Sequence, residues 1–194
     1  MLKISNRNQL FLGLFFVLLM AVSRGHHFES LQSLPSASLA IFFLAGIYIK
    51  KSWFFSLLLA EAALIDYVVI TFGGVSSFCV TPAYAMLILA YGAMWMGGAW
   101  YSNRHENRWT TFVPLVLSIV AAVFISEVIS SGSFYFLSER FTDTNMTEMM
   151  ARLIKYSPNA LANTAFYVGC AALIHVTLVA IKSVSNEENS DSIS

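Results

Sequence analysis

The chain has 194 residues, of which 57% are hydrophobic and only 11% charged, with zero net charge and a mean hydropathy of +0.67. Soluble domains carry about a quarter of their residues as charges, so this composition excludes an ordinary water-soluble fold. The lack of any basic tract argues against a nucleic-acid partner. Long uncharged runs between bunched charges mark an all-α polytopic membrane protein embedded in a lipid bilayer. The sequence has no Walker-type phosphate loop, no His-Glu-x-x-His and no Gly-x-Ser-x-Gly, so it does not itself hydrolyse ATP.

Six apolar runs are expected to be transmembrane helices, at roughly 8–23, 34–49, 52–71, 83–101, 110–131 and 157–181. The first two are short for a crossing. The first also has signal-peptide features, with Lys3 and Arg7 ahead of it and Ala21-Val22-Ser23 resembling a cleavage site; an uncleaved span is preferred. With the N-terminus inside, the cytoplasmic segments hold Lys3, Arg7, Lys50, Lys51, Arg104, Arg108 and Lys182. The opposite side holds Arg24, Arg140, Arg152 and Lys155. The positive-inside rule then places both termini in the cytoplasm and residues 24–33, 72–82 and 132–156 outside. Residues 1–182 form one six-helix domain, and the polar, acidic segment 183–194 is expected to be a disordered cytoplasmic tail.

Within 132–156, Met146, Met149, Met150, Leu153 and Ile154 recur at helical spacing opposite Thr147, Glu148, Arg152 and Lys155. Asn145 with Glu148 three positions on has the pattern of a capping box. An amphipathic surface helix is therefore predicted, ending before Pro158 opens the last span.

The residues that could carry chemistry gather on the external side. Cys79 lies in Phe78-Cys79-Val80-Thr81-Pro82-Ala83-Tyr84, a linker with Gly73-Gly74 before it, where a thiolate would suit a soft metal; a buried inert thiol is an equal reading from the residues alone. His26 and His27 are adjacent, so their rings diverge, and one imidazole with one thiol is too few for a closed zinc site. Together they suit an axial position on a planar cofactor that brings its own equatorial ligands. Asp66, about one turn from the outer linker, can accept hydrogen bonds from a polar ligand; Glu61 and Glu127 are given no role. Tyr84, Tyr91 and Trp95 form a stripe at i, i+7 and i+11, with Tyr84 nearest the outside and Trp95, Trp100 and Tyr101 read as interfacial belt residues. Ala93-xxx-Gly97 and Ala165-xxx-Gly169 permit close helix contact. Cys170, mid-span, reads as a small apolar core residue, and His105 and His175 are assigned no function.

At Arg24-Gly25-His26-His27-Phe28, Ile65-Asp66-Tyr67 and Phe78-Cys79-Val80-Thr81-Pro82-Ala83-Tyr84 the chain resembles the BtuM family, solitary cobalamin-specific S-components of the energy-coupling-factor transporter type from Gram-negative bacteria. The resemblance runs from the first span to the last, with the cysteine linker as its most specific element. It implies a six-helix S-component fold in the inner membrane that binds cobalamin on the periplasmic side. Cys79 would be the cobalt ligand, His27 would lie near the corrin, and Asp66, Tyr84 and Arg152 would contact its periphery. It also implies removal of cyanide from cyanocobalamin at Cys79. The chain departs from ordinary S-components at Leu10-Phe11-Leu12-Gly13-Leu14-Phe15-Phe16, where bulky residues replace an Ala-xxx-Ala docking pattern, and no ATPase partner is evident from the sequence. The competing classes are a haem- or metal-handling membrane oxidoreductase, which two stacked histidines on facing helices would support, and a structural subunit of a larger membrane complex. The sequence shows no such histidine pair.

Overall fold

A computed structural model of the chain describes residues 6–24, 36–72, 82–106, 109–138, 141 and 144–191, with side chains of the last helix described to residue 177. The described residues are all-helical. They form α1 (Asn6–Arg24), α2 (Ser38–Tyr48), α3 (Ser52–Phe72), a 3-10 turn at Pro82–Met86, α4 (Leu87–Arg104), a second 3-10 turn at Trp109–Thr111, α5 (Phe112–Leu137) and α6 (Met146–Asp191). His26, His27 and Cys79 lie outside the described residues.

Four of these helices, α1, α3, α5 and the Met146–Thr177 part of α6, are long and apolar enough to cross a membrane. α2 falls short. Its 11 helical residues cover about 16 Å at 1.5 Å per residue, roughly half of a hydrocarbon core of about 30 Å. α4 has 18 residues, but its second half takes in Gly97, Gly98, Ser102, Asn103 and Arg104, which dilute its apolar character. The six apolar runs thus become six helices, four of them with the dimensions of a span.

The helices alternate in direction. The C-terminal ends of α1 and α3 meet the N-terminal ends of α2 and α4 through Arg24, Asp66, Ser38 and Tyr91. At the other end Lys50, between α2 and α3, donates to Asn103 of α4 at 2.9 Å. The α2–α3 connection is tight: Lys50 adopts a left-handed φ of 54°, and its N–H bonds back to the Ala45 carbonyl at 3.2 Å, closing the helix end as an αL residue does.

α2 is the axis of the bundle. Every residue from Ala40 to Ile47 is buried, as expected of a helix apolar all round. It packs most closely on α4, and two glycines make that possible. A Cβ on Gly98 would stand 2.0 Å from the Phe43 carbonyl oxygen, and one on Gly46 would stand 2.2 Å from that of Trp95. Each glycine therefore receives the other helix's backbone. Gly97 serves the next interface, where its Cβ would fall 2.7 Å from that of Ala122 on α5, whereas a Cβ at Gly169 would meet nothing. Of the two expected small-residue motifs, only the first makes a helix contact.

The outer helices turn large apolar side chains outward, including Leu10, Phe11, Leu14, Phe15 and Leu18 on α1 while Gly13, Phe16 and Met20 face in. In water such a surface would drive association; against lipid it is the expected exterior. Cys170 is also exposed, so it lies on the bundle surface and not in its core. Trp95 stacks edge-on against Phe55 with ring centroids 5.5 Å apart, and Tyr101 is buried. Only Trp100, beneath the Arg104 guanidinium at 4.3 Å, keeps the position of a belt residue.

α6 is one 46-residue helix containing Pro158. Proline lacks an N–H but does not end the helix here, so the amphipathic segment and the last span are continuous. The same helix runs on to Asp191, through most of the tail that composition marked as disordered.

Gly98→Ala should destabilise the bundle by about 1–3 kcal/mol or more, the cost of overpacking a closed interface, while Gly169→Ala should leave it unchanged. Thermal unfolding of both variants in detergent micelles checks this. Equal unfolding temperatures for the two would mean that α2 and α4 are not held in backbone contact.

Candidate functional site

The end of the bundle predicted to be external is built around a guanidinium. Arg24 is in the last turn of α1, where a cation is favoured by the helix dipole. Its Nε donates to Asp66 Oδ1 and its Nη2 to Asp66 Oδ2, both at 2.7 Å. Its Nη1 donates to the Tyr91 hydroxyl at 2.7 Å and to Ser38 Oγ at 3.1 Å. The Tyr84 hydroxyl, from the Pro82–Met86 turn, donates to Asp66 Oδ2 at 2.6 Å. Four helices and the turn thus converge on one ion pair.

The pair is well shielded, with 14% of the Arg24 side chain and 25% of the Asp66 side chain exposed. Two parallel N–H···O bonds give it the bidentate geometry that arginine and carboxylate share. Packing fixes the rest: the Tyr91 ring stacks on Phe42 of α2 at 4.3 Å between centroids, which holds its hydroxyl under the guanidinium. A carboxylate offers about four lone-pair directions. Asp66 accepts one bond on Oδ1 and two on Oδ2 from the described residues, which leave one Oδ1 lone-pair direction unused among themselves.

Arg152 lies in a second cluster, where α5 ends and α6 begins. Asn145 caps α6, its Oδ1 accepting the Glu148 N–H at 2.8 Å. The return half of the capping box is relayed: the Asn145 N–H goes to the Tyr135 hydroxyl at 3.0 Å, and that hydroxyl donates to Glu148 Oε2 at 3.0 Å. Arg152 then donates from Nη2 and Nε to Glu148 Oε1 at 2.8 and 3.2 Å. Its guanidinium lies over Phe141 at 4.3 Å and Tyr135 at 5.3 Å. Met149 and Leu153 pack inward on Tyr135 while Met146, Met150 and Ile154 face out, so the methionine stripe is divided between bundle and exterior. The Pro82–Met86 turn that carries Tyr84 also packs on α5.

The structure therefore joins Asp66 to Tyr84 and holds Arg152 separately. Arg24 has no role in the sequence reading, yet its signal is present: a carboxylate within an apolar helix needs a cation, and Arg24 ends the neighbouring helix α1. Glu127 accepts from Ser131 at 3.1 Å, and Glu61 Oε2 is buried without a hydrogen-bond partner among the described residues. Sequence reasoning also missed a histidine pair. His105, just beyond α4, and His175 of α6 meet edge to face at 5.7 Å between ring centroids, at the end of the bundle opposite Arg24. Among the described residues no three His, Cys, Asp or Glu side chains gather in a metal-binding group.

Neither protein-family models nor the sequences of curated proteins give a match to this chain.

Arg24→Ala should cost about 3–5 kcal/mol, because it strands the Asp66 carboxylate in an apolar surround. Arg24→Ala/Asp66→Ala should cost clearly less than the two single changes added. A double-mutant cycle on thermal unfolding in detergent measures this; strict additivity would show that the two side chains are not paired.

Proposed function

We propose that this chain is a six-span cobalamin-uptake protein of S-component type in the bacterial inner membrane, with both termini cytoplasmic. It binds the corrinoid at the end of the bundle where Arg24, Asp66 and Tyr84 meet, and Cys79 is the axial cobalt ligand. The observation that carries the reading is the Arg24–Asp66–Tyr84 network, because both segments bearing the soft donors attach there. His26 and His27 follow Arg24 directly, and Cys79 stands three residues before Pro82, where the turn carrying Tyr84 begins. Covalent reach alone keeps the Cys79 and Pro82 Cα atoms within about 10–11 Å.

The chemistry is matched to such a ligand. Cobalamin supplies four equatorial nitrogens to cobalt, so one protein donor suffices, and a thiolate is a strong one. The Oδ1 lone-pair direction of Asp66 that no described residue fills suits an amide N–H of the corrin rim, with Tyr84 as its neighbour. Arg152, held at the α5–α6 junction, offers a guanidinium to the phosphate, and His27, three residues beyond Arg24 in the sequence, is the imidazole that the resemblance puts near the corrin. Thiolate donation from below weakens the bond on the opposite face. The thiolate replaces the vitamin's own lower base, and cyanide then leaves with the bonding electron pair as water takes its place, so cobalt keeps its oxidation state.

The test is cyanocobalamin binding to the detergent-solubilised protein, followed by absorption. The parent should shift the corrinoid bands and release cyanide. Cys79→Ser should abolish both, and Cys170→Ser should change neither. Tyr84→Phe, which removes the hydroxyl that holds Asp66 in place, should weaken binding. Arg152→Ala should also weaken it. A Cys79→Ser variant that still gives the shifted spectrum would overturn the assignment of the cobalt ligand.

A further inference from the structure

We infer that Glu61 is a proton-binding site within the membrane-crossing length of α3: its carboxyl takes up one proton as α3 packs on α1 and α2, so that this packing is proton-linked. The inference stands on the surroundings of Glu61 and is independent of the proposed cobalamin function.

Glu61 is near the middle of α3, a 21-residue helix long and apolar enough to cross a membrane. It stands at the edge of the face that α3 buries. On one side of it Leu58 and Ala62 are buried and Ile65 packs against the core; on the other, Leu57 and Leu64 are exposed. Glu61 Oε2 is buried and accepts no hydrogen bond among the described residues. An ionised carboxylate in that position is strongly disfavoured, whereas a carboxylic acid carries no charge to desolvate.

The neighbouring helices supply nothing to hold a charge there. α3 packs chiefly on α1 and α2. A Cβ on Gly13 of α1 would stand 3.1 Å from the Phe54 ring of α3, and Arg24 of α1 meets Asp66, so the two helices run in the same direction and Glu61 falls between these contacts. From Gly13 to Val22, α1 carries no charged or hydrogen-bonding side chain, and neither does α2 from Leu39 to Ile47. α4 reaches α3 through Trp95 on Phe55, and its Tyr91 hydroxyl is taken by Arg24. Asp66, five residues on and about 7.5 Å along the helix, is engaged by Arg24 and Tyr84. The two carboxyls of α3 thus meet opposite terms: Asp66 is given a cation, and Glu61 is left to a proton.

The ligand class follows from the same surroundings. A metal ion needs several donors around it, and α1 and α2 offer none at this depth; a proton needs only the carboxyl. When water reaches Glu61 instead, the group ionises at neutral pH. The packed state therefore binds one more proton than the opened one. Its stability is greatest in acid and falls as pH rises.

The experiment is labelling of the full-length protein in membrane vesicles with dicyclohexylcarbodiimide at neutral pH, mapped by peptide mass spectrometry. The reagent partitions into lipid and adds to carboxyls that carry a proton, and the exposed edge at Leu57 and Leu64 gives it access. An adduct is expected at Glu61 and not at Asp66, and Glu61→Gln should lose it. Thermal unfolding in detergent from acid to mildly alkaline pH is the second measurement. The parent should lose stability relative to Glu61→Gln as pH rises, because glutamine keeps the shape and cannot ionise. Cys79→Ser should retain both the adduct and the pH dependence. An unlabelled Glu61 in the folded parent would overturn the site, as would unfolding temperatures of parent and Glu61→Gln that run parallel across pH.

Discussion

A single ion pair sets the terms for one end of this molecule. Arg24 and Asp66 lie among helices that are otherwise apolar, where an isolated charge of either sign would be strongly disfavoured. Their bidentate contact at 2.7 Å cancels that cost only if both side chains are held in register. The hydroxyls of Tyr84, Tyr91 and Ser38 do this. Each comes from a different part of the chain, so the pair ties α1, α2, α3 and α4 together in one step. Buried ion pairs are weak contributors to net stability but costly to break on one side. The same network therefore makes this end of the bundle rigid and leaves polar groups ready where an apolar interior offers few.

That rigidity depends on the rest of the bundle. α2 is buried along its length because α4 approaches it backbone to backbone at Gly46 and Gly98. This contact carries Phe42 to Tyr91, which in turn supports the guanidinium. The Arg152 cluster is built differently, from a helix cap: Asn145, Glu148 and Tyr135 satisfy one another's donors and acceptors, and Arg152 closes the group over two aromatic faces. One polar group is thus fixed by long-range helix packing and the other by local capping.

Much of this was legible in the sequence, for identifiable reasons. Apolar runs predicted six helices at nearly the right places, since periodicity and length are strong signals in a chain with so few charges. The Asn145–Glu148 cap was legible because it is local. That Asp66 and Tyr84 lie towards one end of the bundle follows from counting turns, and the two meet there. What failed were inferences that need tertiary context. Arg24 counted only as an orientation charge, although a carboxylate in a neighbouring span requires a partner. Pro158 reads as a boundary, yet α6 runs through it. Among the described residues nothing lies against Gly169 of the Ala165-xxx-Gly169 spacing, because a small-residue motif states what is possible and not which face is covered. His105 and His175 are 70 positions apart in the sequence, and only the placement of α6 against the ends of α2 and α4 brings them together.

Whether the polar end of the bundle holds a corrinoid, as proposed, is read from the absorption spectrum of the protein purified from cells grown with cobalamin. A corrinoid spectrum should co-purify with the protein. A Soret band would assign the chromophore to haem, and a colourless protein that also takes up no cobalamin on addition would rule out corrinoid binding.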